Sequence, residues 1–544
     1  MSLRIAGGRV YDPANGVNGD VRDVCLSDGK VVDDVDEHAT RIDARGMVVM
    51  PGGVDIHAHI AGPKVNAARR LAPEEHRGDV HERTAIMRAG TGGMVPSTFV
   101  TGYRYALLGY TTVVEAATPP LSARHVLAEL RDTPMIDPLF LVLLGNNVAL
   151  FDLIRRDPAR VRDAVAWWLE ATGGYGVKLV NAGGIERWKR GAGNVTSLDD
   201  EVAGVTPRQV IESIGSAVHD LGLPHPVHVH CNNLGVGGNW RTTLDTLDTL
   251  DGRRAHLAHL QFHAYGGKPG GRLRSRAPDI AEYLGAHPEF SADVGQVMFG
   301  PATTMTADAP VSERLRDITG GKWVNADTEV ETGCGIVPFT YKEKNEVHAL
   351  QWGIGLELFL LSRDPWRLVL STDHPNGGSF LSYPKLIRLL MDREFRNDQL
   401  RRANKKAIRR TVLLDDLDRE YTLEEVAIVT RAGPARLLGL RDKGHLGAGA
   451  DADVTVYDDR EDREEMFAVP RYVIKGGHVV VRDGELVEAL SGDLLRVAAA
   501  HDPAIEDVLR ERFEERYTVQ FDNYPVREPW LLEPARRVDA GRPA

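Results

Sequence analysis

Two histidines near the start of the sequence, His57 and His59, have the residue type and the spacing of metal ligands. They follow an apolar run at residues 47–50 and a Pro-Gly-Gly turn at 51–53. Side chains on a β-strand alternate between its two faces, so this pair points the same way. Two imidazoles on one rigid strand can bind one edge of a metal ion, although an ordinary strand with two polar positions gives the same local pattern.

Two further apolar runs contain residues that could also bind a metal ion. Lys178 lies within residues 176–180, where a lysine without a partner or a modification is costly to bury; taken alone, a salt-bridged or snorkelling lysine also explains it. The run at 227–230 contains His228 and His230 on one face. The histidine nearer the carboxyl end of the strand is expected to reach the site at that end. We therefore interpret His230 as a ligand and His228 as a residue that packs one layer below it.

The last two candidate segments are residues 256–263 and 368–373. The first offers His256, His259 and His263; His259 has the best spacing for a ligand at a strand end, and His263 stays open as the alternative. The second ends on Asp373; taken alone, an aspartate before a turn is more often a cap than a ligand.

The order of these residues is informative. The motif Asp-x-His-x-His at residues 55–59, after an apolar strand and a Pro-Gly turn, resembles the first barrel strand of the amidohydrolase superfamily. That family places the pair at the C-terminal mouth of a (β/α)8 barrel. The resemblance implies two divalent metal ions, zinc in the first instance, and a lysine that CO2 converts to a bridging carbamate. The implied ligands are His57, His59, Lys178, His230, His259 and Asp373. Asp373 would also take the proton of the attacking water.

The elements that must position these residues follow an alternating strand and helix pattern, which favours a parallel barrel over residues 51–440. The predicted strands are at 54–60, 111–115, 139–144, 176–180, 227–230, 256–260, 290–294 and 368–373.

Strand pairs with turns at residues 1–50 and 441–490 predict one small β-sandwich built from both termini. Residues 61–109 and 295–364 are long for βα loops, and such loops are usually lids or binding loops. Residues 491–544 are expected to form a C-terminal extension on the surface or on a partner.

Bulk properties narrow the class of protein. The 544 residues carry a formal net charge of −12, which gives no support to nucleic-acid binding. There is no apolar run of the length that spans a membrane and no apolar stretch typical of a signal peptide. Three widely spaced cysteines argue against a disulfide framework, so we expect a reducing, cytoplasmic location.

Four segments narrow the resemblance. Residues 55–62 (DIHAHIAG), 230–235 (HCNNLG), 259–266 (HLQFHAYG) and 371–378 (STDHPNGG) resemble the amidohydrolase-type subunit of formylmethanofuran dehydrogenase and of the formyltransferase/hydrolase complex of methylotrophs. This resemblance implies a hetero-oligomeric complex with a formyltransferase and other subunits, and chemistry at a formamide. We expect hydrolysis of formyl-methylofuran to formate and the free amine, because the arginine-rich composition suits an aerobic bacterium with a GC-rich genome.

Several alternatives stay open. The same centre could condense formate with methanofuran, as in formylmethanofuran dehydrogenase, or serve a dihydropyrimidinase-like cyclic amidase or an N-acyl-amino-acid hydrolase. A metal-free scaffold that only organises a complex is the alternative outside enzymes. Asn232, Asn233 and Asn376 are candidates for orienting the coenzyme substrate.

Overall fold

The structure is a computed structural model that describes residues 2–326, 334–413, 417–526 and 535–539. Parts of two predicted regions, the second long loop and the C-terminal extension, therefore lie outside the described residues. The strands, in chain order, are β1 (Ser2–Asp12), β2 (Val17–Ser27), β3 (Lys30–Val32), β4 (Thr40–Asp43), β5 (Met47–Pro51), β6 (Gly53–Ala58), β7 (Val80–His81), β8 (Gly90–Thr91), β9 (Tyr110–Thr118), β10 (Asp137–Leu143), β11 (Gly176–Val180), β12 (Val227–His230), β13 (Ala255–Leu257), β14 (Tyr265–Gly266), β15 (Arg274–Ser275), β16 (Phe290–Asp293), β17 (Gly300–Thr306), β18 (Val324–Ala326), β19 (Cys334–Tyr341), β20 (Leu368–Val369), β21 (Val454–Asp458), β22 (Tyr472–Lys475), β23 (His478–Arg482), β24 (Glu485–Leu486), β25 (Leu494–Ala498) and β26 (Ala535–Asp539).

Most of the connections between barrel strands contain α-helices. The helices are α1 (Pro63–Leu71), α2 (Thr98–Leu107), α3 (Ala123–Asp132), α4 (Val148–Arg156), α5 (Val161–Thr172), α6 (Gly184–Lys189), α7 (Pro207–Asp220), α8 (Trp240–Thr249), α9 (Ala277–Ala286), α10 (Ala309–Thr319), α11 (Glu346–Leu361), α12 (Tyr383–Met391), α13 (Arg393–Arg402), α14 (Lys405–Ile408), α15 (Leu423–Ala427), α16 (Gly433–Leu438), α17 (Arg463–Ala468) and α18 (Ile505–Arg516). In the described part of the chain, no helix is both long and apolar enough to cross a membrane.

Eight parallel strands form the barrel in the order β6-β9-β10-β11-β12-β13-β16-β20. A parallel bridge between Ala58 and His374 brings the segment after β20 back to β6, and the His59 N–H donates to the His374 carbonyl over 2.7 Å. These pairings confirm the predicted (β/α)8 fold, and they bring the carboxyl ends of all eight strands to one mouth.

Two barrel strands are shorter than the sequence predicts. β13 ends at Leu257 and β20 ends at Val369, whereas the apolar patterns continue to residues 260 and 373. After β13 the backbone turns at His259, which has φ 34°, and after β20 it turns four residues further on, at Asp373, which has φ 49°. Left-handed backbone of this kind is uncommon for residues other than glycine and ends strand geometry at once.

Strands from both ends of the chain form a separate nine-stranded sheet. Its order is β24-β23-β22-β21-β5-β1-β2-β3, and β4 pairs with β1. The junction is β5, which pairs in parallel with β1 and antiparallel with β21. The sheet has its own apolar cluster, to which Leu3, Val49 and Val454 belong. Both termini therefore build one module, as the sequence predicts.

Buried charges join this module to the amino end of the barrel. Nζ of Lys443 lies 2.5 Å from Asp137, 2.8 Å from Asp451 and 3.0 Å from Asp453. Nζ of Lys475 lies 2.5 Å from Asp137 and 3.2 Å from Asp453. Because Asp137 begins β10 and the other residues belong to or adjoin the terminal sheet, this cluster fixes the module against the barrel.

The described part of the C-terminal extension packs on the barrel. The Val497 N–H donates to the Gly174 carbonyl over 3.2 Å, and the Phe521 ring stacks on Trp167 of α5 at 5.1 Å between centroids. Phe513 of α18 is buried in the same cluster. The extension is thus part of the main hydrophobic core, which goes beyond the surface packing expected from its composition.

Candidate metal centre

A cavity of about 250 Å³ opens at the carboxyl ends of the barrel strands. Its inner wall includes all six residues that the sequence marks as metal ligands: His57, His59, Lys178, His230, His259 and Asp373. The outer wall comes largely from the connection between β16 and β20, including α10 and the start of α11. The predicted role of this long connection as a binding loop is therefore consistent with its position.

One group of donors surrounds Asp373. Its Oδ1 atom lies 3.2 Å from Nε2 of His57 and 3.2 Å from Nε2 of His59. Nε2 of His57 is also 3.4 Å from Nζ of Lys178. The first, fourth and last barrel strands therefore bring two imidazoles, an amine and a carboxylate to one point.

A second group adjoins the first. Nδ1 of His230 lies 3.1 Å from Nε2 of His259, and donors from His230, His259 and His263 all lie within 4.8 Å of one another. His259 also groups with His57 and Asp373 and lines the cavity, whereas His263 is absent from the residues that line it. His259 therefore lines the cavity and belongs to both donor groups, while His263 belongs to one group and stays the alternative.

Carboxylates behind two histidines fix which ring nitrogen faces the cavity. Asp293 lies 2.8 Å from Nδ1 of His57, and Glu115 lies 3.2 Å from Nδ1 of His59. Nζ of Lys64 lies 2.9 Å from Glu115, whose charge it balances, and 3.0 Å from the same Nδ1 atom of His59. Such carboxylate–histidine pairs hold the ring and leave Nε2 free for a metal. The sequence pattern predicted no role for Asp293 and Glu115, although each stands near the end of an apolar barrel strand and could have been singled out on that ground.

The protonation states suit a metal centre. Burial holds the pKa of His259 and of His263 well below the ordinary value, so both rings are neutral, which is the form that binds metals. Burial also lowers the pKa of Lys178 to about 7. For Asp373, burial alone would raise the pKa, but His57 and His59 hold it below its ordinary value, so it is a carboxylate.

Buried polar atoms without hydrogen-bond partners also suit a metal centre. Among the described residues, Nδ1 of His259 and both ring nitrogens of His263 have no hydrogen-bond partner, although all are buried. Neutral imidazoles and a carboxylate form a donor set of the kind that divalent ions such as zinc accept. The residues present therefore fit a metal-binding role.

The three asparagines predicted to contact the substrate have different positions. Asn376 lines the cavity, and its Nδ2 donates to Oδ1 of Asp373 over 2.9 Å. Asn232 donates to Asn181 over 2.9 Å and Asn233 donates to Thr242 over 3.2 Å, and neither is among the lining residues. The structure thus uses Asn232 and Asn233 to brace the loop after β12, while Asn376 remains at the site.

Known proteins with similar sequences span nearly the whole chain. Protein FwdA of Methanocaldococcus jannaschii is 43% identical over 97% of both chains. FhcA, which is part of the formyltransferase/hydrolase complex Fhc of Methylorubrum extorquens, is 41% identical over 97% of this chain and 96% of its own.

Solved structures agree with the sequence matches. The crystal structure of the FhcABCD complex from Methylorubrum extorquens with methylofuran contains a chain that superposes with a TM-score of 0.93 at 40% identity, covering 99% of this chain and 100% of that one. D-aminoacylase superposes with a TM-score of 0.51 at 15% identity over 90% of this chain and 99% of its own, which shows a shared fold only. The model of the amidohydrolase family matches residues 40–481. The chain therefore belongs to the amidohydrolase family, in the branch that contains FwdA and FhcA.

Proposed function

We propose that this protein is the hydrolase subunit of a formyltransferase/hydrolase complex and cleaves the formamide of formyl-methylofuran into formate and the free amine. The observation that carries the proposal is the convergence of His57, His59, Lys178, His230, His259 and Asp373 on one cavity at the barrel mouth. The choice of substrate is supported by the full-length similarity to a chain solved in the FhcABCD complex with methylofuran.

Two divalent ions, zinc in the first instance, would be held by this donor set. His57, His59, His230, His259 and Asp373 would hold these ions together with Lys178 once it is carboxylated. When bound, the ions polarise the formamide carbonyl and lower the pKa of water from about 15.7 toward roughly 7.

Lys178 is prepared for carboxylation by its surroundings. Its pKa of about 7 leaves a large fraction of the neutral amine near neutral pH, and only the neutral amine can attack CO2. The nitrogen lone pair forms a bond to carbon, one proton is released, and the product is a carbamate anion. This converts a buried cation into a bidentate anionic ligand, which also removes the cost of burying the lysine.

Asp373 moves the proton. As a carboxylate it takes a proton from the attacking water and delivers it to the amine nitrogen as the C–N bond breaks. Nδ2 of Asn376 donates to Oδ1 of Asp373, which fixes the orientation of the carboxylate and directs it toward the cavity. Asn376 is therefore a positioning residue for the proton transfer.

The complex is part of the proposal. By analogy with FhcA, this chain assembles with a formyltransferase and other subunits, which supply the formylated coenzyme. A second candidate, the reverse condensation of formate with methanofuran, is favoured by the 43% identity to FwdA.

The test uses the complex purified under native conditions. We expect stoichiometric zinc, release of formate from formyl-methylofuran, loss of the activity after chelation and its return on adding zinc. Formation of formyl-methanofuran from formate and methanofuran under the same conditions would favour the reverse role. Turnover of dihydrouracil without turnover of the formamide would identify a cyclic amidase, and a complex with no stoichiometric metal would refute the metal-dependent hydrolase.

A further inference from the structure

The carboxylate of Asp308 lies deep in the barrel mouth although its backbone belongs to the long connection after β16. Oδ2 of Asp308 is 3.1 Å from Nε2 of His230, and the residue is fully buried. Asp308 immediately precedes α10, which carries the cavity-lining residues Val311 and Leu315. One helix of the binding loop is therefore connected directly to a candidate metal ligand.

The position of Asp308 makes this contact unusual. It is the N-cap residue of α10, where an aspartate normally accepts a hydrogen bond from the backbone of the first helical turn. Here the side chain makes no capping hydrogen bond. Its Oδ1 accepts from Nδ2 of Asn181 over 2.9 Å, and its Oδ2 faces His230. The helix forgoes a stabilising cap so that the carboxylate can reach the histidine.

We infer that Asp308 is a positioning residue that keeps the proton of His230 on Nε2 and thereby presents Nδ1 as the metal-binding atom. A carboxylate only accepts hydrogen bonds, so the ring nitrogen next to it must carry the proton. The other nitrogen, Nδ1, then has a free lone pair, and it points to Nε2 of His259 at 3.1 Å. This inference rests on the proposed metal centre and adds the atom through which the fifth barrel strand contributes to it.

Asn181 makes the inference testable with an isosteric change. Asn181 accepts from Nδ2 of Asn232 over 2.9 Å, which fixes its amide so that its own Nδ2 donates to Asp308. In Asp308→Asn, the new carbonyl oxygen must therefore face Asn181, and the new NH2 group must face His230. That group donates to Nε2, so the ring proton moves to Nδ1 and blocks the metal-facing lone pair. The same logic explains why an amide in place of a carboxylate imposes the wrong tautomer in the serine protease triad.

Asp308→Ala provides the comparison. It removes the same negative charge but inserts no donor, so His230 can still adopt the metal-binding tautomer part of the time. A purely structural role for Asp308 predicts the opposite ranking, because alanine leaves the larger gap in a buried site. Asp317→Asn is the matched control, since it makes the same change on the same helix at an exposed position.

The experiment measures zinc dissociation constants by chelator competition on the full-length complex, and the tautomer of His230 by nitrogen NMR of 15N-histidine-labelled, metal-free protein. We expect Asp308→Asn to weaken the more affected site by roughly 10- to 100-fold, more than Asp308→Ala, while Asp317→Asn changes nothing. We also expect the His230 proton on Nε2 in the wild type and on Nδ1 in Asp308→Asn.

Unchanged zinc affinity in Asp308→Asn, or a loss no greater than in Asp308→Ala, would overturn the inference. So would a wild-type His230 with its proton on Nδ1. A wild-type complex without stoichiometric zinc would refute the proposed function instead, and the NMR measurement on metal-free protein would still decide the role of Asp308.

Discussion

Nε2 of His57 lies 3.2 Å from Oδ1 of Asp373, so the first and last barrel strands meet at the same atom of the candidate centre. The contact spans more than three hundred residues of sequence and depends on closure of the barrel. It also places a carboxylate where it can both hold an ion and accept a proton.

The two roles of Asp373 separate in Asp373→Asn. The amide keeps the shape and one oxygen ligand but loses basicity, so we expect metal content to survive while kcat falls by roughly 10²- to 10⁴-fold. Because the missing interaction belongs to the transition state, kcat and kcat/KM should fall together. Steady-state kinetics with metal analysis of the same preparation measures this. Near-normal hydrolysis would mean that Asp373 only caps its turn, and the order of ligands along the barrel would have to be reconsidered.

Carboxylation of Lys178 has a direct spectroscopic signature. In 13C-bicarbonate, the wild type should show a carbamate carbon signal that Lys178→Ala lacks, and the variant should lose at least one metal ion. Short carboxylic acids should restore part of the activity by occupying the vacated space. Lys268→Met is the control, because Lys268 is exposed and lies outside the cavity lining, so its loss should leave the carbamate signal in place. A free ammonium on Lys178 in a protein that still binds two ions would contradict the prediction.

The buried charge cluster between the module and the barrel predicts an acid-sensitive contribution to stability. Burial alone would raise the pKa of Asp451, but Lys443 and Lys30 lower it to about 2 from the ordinary 3.8. A depressed pKa contributes stability that is present above about pH 4 and is lost as the pH falls toward 2. Chemical denaturation of the wild type between pH 5 and pH 2 should follow this course.

Two lysine variants separate buried from exposed ion pairs in this cluster. Lys443→Met leaves buried carboxylates short of a partner and should lower the free energy of unfolding at pH 7 by about 3–5 kcal/mol. Lys30→Met removes a half-exposed partner of the same Asp451 and should cost less than about 1 kcal/mol. The deficit of Lys443→Met should shrink in acid, because its carboxylates can then become protonated. If the two variants lost the same free energy of unfolding at pH 7, burial of the ion pair would not determine its contribution to stability.

The packing of the C-terminal extension changes what its removal would do. An extension that packs only on the surface or on a partner, as the sequence predicts, could be deleted (residues 491–544) with more harm to assembly than to the fold. In the structure, however, Phe513 is buried against Tyr517 and Tyr524 in the main core. Phe513→Ala should therefore lower the free energy of unfolding by about 3–5 kcal/mol. Glu514→Ala, at the next and exposed position, should change it very little. Similar unfolding curves for the two variants would show that the extension does not stabilise the fold and acts only in contacts with other subunits.

The resemblance to the amidohydrolase superfamily implied His57, His59, Lys178, His230 and Asp373 as ligands, and each lies within an apolar run or just beyond its carboxyl end. Parallel strands in a barrel bring those ends together whatever lies between them. The positions of His259 and Asp373 off the strands could not be predicted, because a left-handed backbone at a residue other than glycine leaves no signal in the local sequence. The chain also packs closely there, since a Cβ added at Gly295 would meet that of His259 at 2.2 Å.

Asp308 escaped prediction for a related reason. It lies in a long connection without barrel periodicity, and only the folded chain brings it to His230. Nothing in its local sequence distinguishes it from an ordinary helix cap, so its role is visible only in three dimensions.

The pairing of β5 with β21 has a consequence for synthesis of the protein on the ribosome. Val454 lies opposite Pro51, so β5 emerges about 400 residues before its partner. At a translation rate of about 5–20 residues per second, this separation corresponds to roughly 20–80 s. During that interval the edge of β5 is unpaired, and an unpaired edge recruits strands from other chains. The yield of correctly folded protein in the cell therefore depends on how soon the barrel forms and brings β21 next to β5.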